Sequence, residues 1–150
     1  MWSSLLVCCS LLLSGPSFHG AAMSFYGEGV HGAGTYEDTL SHLKQSGGRS
    51  VNFVIPWTVD SARGHTIERH PTETPSDAQL RTNIRRAHQL GMTVLVMPIL
   101  LLKRSEAGEW RGKLHPSEPT LFWQAYGQFI EHYAALSESE GVALLSVGLS

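Results

Sequence analysis

Thr93-Val94-Leu95-Val96-Met97 is a continuous apolar run between a glycine turn at Gly91 and a polar stretch opening at Lys103. An uninterrupted run of this length belongs to a strand buried on both faces of a parallel sheet. Parallel neighbours cannot be joined by a hairpin, so such a strand obliges the rest of the chain to supply crossover helices.

The flanking sequence supplies them. Ala21 to Phe25 reads as a short strand, followed by a glycine-rich turn and a helix over 36–45. That helix has Thr35 as N-cap and Asp38 three residues on, Tyr36, Leu40 and Leu43 on one face, and Gly47-Gly48 to end it. Ser50 to Ile55 forms a second strand stopped by Pro56-Trp57, and a polar loop runs over 58–75. Ser76-Asp77-Ala78-Gln79 is a capping box that opens a helix to Leu90, with Leu80, Ile84 and Ala87 as its buried stripe. After the apolar strand a second polar loop, 103–119, leads to a helix over 120–137, whose inner side carries Phe122, Tyr126, Phe129, Ile130, Tyr133 and Leu136. Val142 to Val147 is the fourth strand. The fold class is α/β, with four strand-helix units and right-handed crossovers.

Composition removes several functions. With 42% hydrophobic and 16% charged residues the chain is neither disordered nor a membrane protein. A formal charge of -2, with scattered Lys and Arg, offers no field for nucleic acid. Leu5-Leu6-Val7 and Leu11-Leu12-Leu13, broken by Gly15-Pro16, have the length of a signal-peptide core, so residues 1–19 read as a leader, residues 20–150 as the folded unit, and the destination as secreted or extracytoplasmic. Both cysteines, Cys8 and Cys9, lie in that leader, which leaves the mature part without disulfides, thiolate nucleophile or zinc-thiolate site.

Two parallel architectures compete. Gly27-Glu28-Gly29-Val30-His31-Gly32 fits the G-x-G-x-x-G of a nucleotide-binding doubly wound domain. Its mechanism fits poorly: the helix cap at Thr35 falls beyond the last glycine, and Pro56-Trp57 stands where a ribose-binding acid belongs. The barrel alternative draws on loop asymmetry. Loops after strands are long and rich in aromatic, His and charged residues, whereas those after helices are tight glycine turns, the construction of a (β/α)8 enzyme with function at the strand C-termini.

Ser24-Phe25-Tyr26-Gly27, Val54-Ile55-Pro56-Trp57, Thr74-Pro75-Ser76-Asp77, Ala87-His88-Gln89-Leu90-Gly91-Met92, Trp110-Arg111-Gly112 and Phe129-Ile130-Glu131-His132-Tyr133-Ala134, in this order and spacing, resemble the N-terminal half of the β-mannanase-type glycoside hydrolases of family 113. The resemblance runs from about Gly20 to Gly148. It implies a partial (β/α)8 barrel, about four βα units, from a lineage that cleaves β-linked polysaccharides with no cofactor. Retaining chemistry of that kind needs two carboxylates about 5 Å apart. The resemblance puts the acid/base Glu in a Gly-x-Glu string after the fourth strand and the nucleophile after the seventh. Here Gly148-Leu149-Ser150 puts Ser150 in the acid/base position, and no seventh strand is present in the chain. Met97-Pro98-Ile99 also departs from the Lys-Pro-His expected after the third strand, which removes a polar group from the sugar-binding floor. The expectation is a scaffold without hydrolysis of its own that retains contact with β-linked glycan. A doubly wound nucleotide-binding domain and a non-catalytic interaction module stand as the alternatives.

The candidate glycan contacts are Tyr26, Trp57, Trp110 and Arg111, aromatic faces and a fork donor suited to hydroxyl-rich ligands. The carboxylates Glu28, Asp60, Glu106 and Glu109 sit on the same loops and read as solvated. His65-Thr66-Ile67-Glu68-Arg69-His70 has metal-ligand residue types without the spacing of a zinc helix, so no metal is expected. His88 and His132 fall on helices, away from the strand ends. Four βα units would leave strand edges open, and association through those edges is expected.

Overall fold

The computed structural model of the 150-residue chain describes residues 19–24, 33–106 and 108–148. The elements run β1 (Gly20–Ser24), α1 (Ala33–Gln45), β2 (Ser50–Val59), β3 (Ile67–Arg69), α2 (Asp77–Gln89), β4 (Thr93–Leu102), a single 3-10 turn (Arg111–Lys113), α3 (Pro119–Ser139) and β5 (Leu144–Leu145). The parallel strands pair in the order β1-β2-β4-β5, each beside its predecessor in the chain, while β3 pairs antiparallel with the end of β2.

That order decides between the two architectures. A doubly wound sheet reverses its strand order and carries helices on both faces. Here the strands progress without reversal, and one core joins all three helices to one face of the sheet. Tyr36 and Leu40 of α1, Leu80, Ile84 and Ala87 of α2, and Phe122, Phe129 and Tyr133 of α3 close on Met23, Val51, Phe53, Ile55, Val94, Val96 and Leu100. Side chains alternate across a strand, so Asn52, Val54, Leu95, Met97 and Ile99 face the side that no helix of this core covers. This is the wall of a (β/α) barrel, with helices outside and the opposite face turned to the lumen.

Helix ends follow from local chemistry. Ser76 and Gln79 form the expected reciprocal box, each side chain satisfying a backbone N–H of the other. Helices α1, α2 and α3 each finish on a left-handed glycine, Gly47, Gly91 and Gly141. The next N–H reaches back to the last turn in each case: Gly48 to Leu43, Met92 to Ala87 and Val142 to Ser137.

Four expectations need correction. The first helix starts at Ala33, so Thr35 lies inside it and is not its cap. The loop over 58–75 contains β3. The fourth strand is the two-residue β5, shorter than 142–147. Finally, β2 and β4 run straight through Pro56 and Pro98 to Val59 and Leu102. Proline is tolerated because one flank of the strand is open at each point: Pro56 falls between the last β1 partner, Val54, and the first β3 partner, Trp57, and Pro98 lies past the last β5 partner, Val96.

Candidate functional site

The strand C-termini carry two long loops, 60–76 and 103–118, and the backbone stitches them together. The N–H groups of Lys103 and Arg104 donate to the carbonyls of Val59 and Asp60, and those of His115 and Ser117 to Ala62 and Arg63, at 2.8–3.0 Å. Ion pairs between Lys103 and Glu68 and between Arg104 and Asp60 add to the join. Leu114 anchors the second loop to the core. A polar loop held in this way is a fixed rim.

On that rim, at the end of β4, is a cavity of about 340 Å³ lined by Leu101, Leu102, Ser105, Glu109, Trp110 and Arg111. Trp110 is 56% exposed, among the most exposed large apolar side chains of the described residues. Arg111 is half-buried beside it. An aromatic face, a guanidinium, a carboxylate and a hydroxyl over a leucine floor can stack on a sugar ring and bond its hydroxyls. Hollows of about 320 and 300 Å³ occur elsewhere, one between α1 and α2 and one between the 65–67 segment and α3. Neither contains a tryptophan.

Trp57 is placed differently. Its parity along β2 matches that of Val51, Phe53 and Ile55, so its ring goes to the helical side. The indole N–H donates to the Tyr133 hydroxyl at 2.7 Å, and the ring packs on Phe129 with centroids 5.0 Å apart. The Arg69 guanidinium lies 5.2 Å from the indole centroid, a cation-π distance. Arg69 also donates to the Pro75 carbonyl at 3.0 Å and to Asp77 at 2.6 Å, and His132 lies 3.1 Å from the same Asp77 oxygen. Partial burial would raise the Asp77 carboxyl, but hydrogen bonds and charge from Arg69 and His132 take it below its ordinary value. Burial pushes the Tyr133 hydroxyl up to about 12, so it stays a neutral acceptor for the indole.

The structure thus joins Trp110 with Arg111 and keeps Trp57 apart from both. Tyr26, Glu28, the glycine string 27–32 and Ser150 lie outside the described residues. Of the remaining carboxylates, Asp60 is held by Arg104, Glu109 accepts from the Glu106 N–H at 3.1 Å, and Glu68 is held by Lys103. His70 accepts the Glu73 N–H at 3.1 Å through Nδ1, a local turn bond, and His88 is exposed on α2. No group of three or more metal-ligating side chains occurs among the described residues, and no helix there is long and apolar enough to cross a membrane. Leu101, Leu102 and Ser105, which floor the cavity, come from the same short stretch as Trp110 but carry no motif; Arg69, Asp77 and Tyr133 gather around Trp57 through tertiary contacts, Tyr133 from 76 residues away.

Residues 23–150 match the family model described as Glycoside Hydrolase Family 113. The fold is similar to that of the GH113 β-mannanase AaManA from Alicyclobacillus acidocaldarius, solved in complex with ManMIm, with a TM-score of 0.75 and 21% identity over 89% of this chain and 45% of that one. Two solved structures of GH113 β-1,4-mannanase are also similar. One, a complex, has a TM-score of 0.70 at 18% identity, covering 89% of this chain and 46% of that chain. The other has a TM-score of 0.70 at 20% identity, covering 87% and 45%. The chain therefore spans just under half the length of each of these enzymes. No curated protein sequence matches it.

Proposed function

The chain belongs to glycoside hydrolase family 113, and from that premise we propose that it binds a β-linked manno-oligosaccharide at the Trp110 and Arg111 cavity without hydrolysing it unaided. The observation that carries the reading is that Trp110 and Arg111, an aromatic face and a fork donor, line one cavity at the C-terminal end of β4, the end at which barrels of this kind bind substrate. The β-mannanase names of the structural relatives supply the sugar and linkage. The lack of turnover is supported by the carboxylates Asp60, Glu68 and Glu109, each already engaged by a neighbour rather than paired across a substrate gap. The leader-like residues 1–19 favour an extracytoplasmic setting, where such polysaccharides are met.

Titration of the full chain with β-1,4-linked manno-oligosaccharide tests this. The expected result is a tryptophan fluorescence change that saturates in the millimolar range and is absent in Trp110→Ala, with no reducing sugar released. Lack of any response in the wild type, or release of reducing ends that Glu109→Gln suppresses, sinks it.

The same reading includes self-association of two copies. Leu95 and Met97 are half-buried on the face that the helical core does not cover, Leu144 is 50% exposed, and β1 pairs on one side only among the described residues. An open strand edge next to apolar side chains is a template for association. Sedimentation at micromolar concentration should show a dimer, and a cooperative, well-folded monomer would remove this part of the proposal.

A further inference from the structure

We propose that Gly112 is a positioning residue for Trp110: the missing side chain at 112 is the seat on which the indole rests and by which the ring is aimed into the cavity. The functional consequence rests on the glycan reading above; the seat itself does not.

Backbone conformation does not select this glycine. Gly108, in the same loop, has φ +83° and open space around its Cα, so there the backbone conformation selects glycine. Gly112 shows the reverse. It lies in the 3-10 turn Arg111–Lys113, where φ is negative and any residue is accommodated, so conformation gives no reason for glycine. Space does. A Cβ at 112 would stand 2.2 Å from Cη2, 2.4 Å from Cζ3 and 2.6 Å from Cζ2 of Trp110, inside the 3.0 Å approach that real Cβ atoms observe. All three atoms belong to the outer ring of the indole.

The turn holds the two residues in this relation. Trp110 is extended at its start, and the Lys113 N–H donates to the Trp110 carbonyl at 2.8 Å. The Lys113 ammonium donates to the Gly108 carbonyl at 2.9 Å, which ties the far side of the turn to the loop before it. With the backbone pinned at both ends, an added methyl can be accommodated only by swinging the ring. Because Trp110 is 56% exposed, it has solvent to swing into, so the change should alter aim rather than unfold the chain. Gly112 is accordingly a steric partner that would not touch the ligand.

The test compares full-length wild type, Gly112→Ala, Trp110→Phe and the double variant by the indole N–H resonance of Trp110, by manno-oligosaccharide titration and by thermal midpoint. Gly112→Ala should move the Trp110 resonance, weaken the sugar about tenfold, the scale of one lost aromatic contact, and leave the midpoint unchanged. Phe lacks the outer ring that meets the methyl, so Gly112→Ala should add no further loss in the Trp110→Phe background. An unmoved Trp110 resonance, or equal losses in the two backgrounds, overturns the proposal. If wild type binds no sugar yet the resonance moves, the seat stands and the glycan reading fails. Should Gly112→Ala fail to fold, restored folding in the double variant supports the seat, and its absence overturns it.

Discussion

Trp57 and Trp110 both stand near the C-terminal end of a parallel strand, and each reads from sequence as a platform for a sugar. One is inside the strand, the other in the loop beyond, and that difference sets what each can do. Trp57 inherits the alternation of β2, which sends its ring to the helices, where Tyr133 takes its N–H, Phe129 packs against it at a tilt and Arg69 covers its face. Trp110 comes eight residues after Leu102 ends β4 and is oriented by a turn, so over half of it is left to solvent beside a cavity. In a barrel wall, strand parity assigns a side chain to packing or to the lumen before its chemistry is consulted. Loop residues escape that assignment and are free for ligands.

The sharpest way to break the contrast is to remove the packed ring. Trp57→Ala should destabilise the fold by about 3 kcal/mol, the lower end for a large aromatic because the side chain is only half-buried. It also leaves Arg69 without its aromatic surface and Tyr133 without its donor. Denaturant unfolding should show a lower midpoint, and oligosaccharide affinity of the remaining folded protein should be unchanged. A selective loss of affinity at normal stability would place Trp57 in the cleft after all.

Much of the frame is legible because it is local. The box of Ser76 with Gln79 and the glycine stops at Gly47 and Gly91 act within a few residues and stand as read, and the apolar run from Thr93 is a strand that continues past Met97 to Leu102. The family resemblance extended this to the barrel, which sequential strand order and one-sided helices bear out. The side facing of Trp57 was hidden by Pro56. A proline suggests a strand end, yet β2 has an open flank at that residue and continues to Val59. The cavity was hidden for a different reason. Its lining is one stretch, Leu101 to Arg111, that folds back on itself without a periodic pattern, and the loop is fixed by bonds some forty to fifty residues apart, such as Arg104 to Asp60 and His115 to Ala62.

A smaller effect should appear in acid. The corner around Trp57 is held by Asp77, and the other end of the same two helices by Glu140, whose carboxylate takes Arg85 at 2.8 Å and Arg81 at 2.7 Å. Hydrogen bonds from Arg85 and then Arg81 bring Glu140 from 4.5 down to about 2, and Asp77 is lowered as well. A carboxyl lowered in the folded state stabilises fully above its unfolded value and loses that contribution as pH falls through the folded value. The melting temperature should therefore decline between about pH 4.5 and 2. Glu140→Gln should cost about 1–2 kcal/mol at neutral pH and show a shallower decline in acid. An identical acid profile in the variant would mean that Glu140 does not join α2 to the end of α3 in solution.

Of the two tryptophans, Trp110 has the smaller expected effect on stability, and it is the one that isolates the rim from the core. More than half of that side chain is already in water, and the loop that bears it is held by backbone bonds to Val59, Asp60, Ala62 and Arg63, which do not involve the indole. Trp110→Ala should therefore shift unfolding free energy by no more than about 0.5 kcal/mol, in the same measurement that registers about 3 kcal/mol for Trp57→Ala. The order should reverse for manno-oligosaccharide, with the response lost in Trp110→Ala and kept in Trp57→Ala. If Trp110→Ala instead destabilises as much as Trp57→Ala, the ring is part of the packing that closes the loop over Leu101 and Leu102, the cavity has no free aromatic wall, and the division between a packed and a ligand-facing tryptophan does not hold.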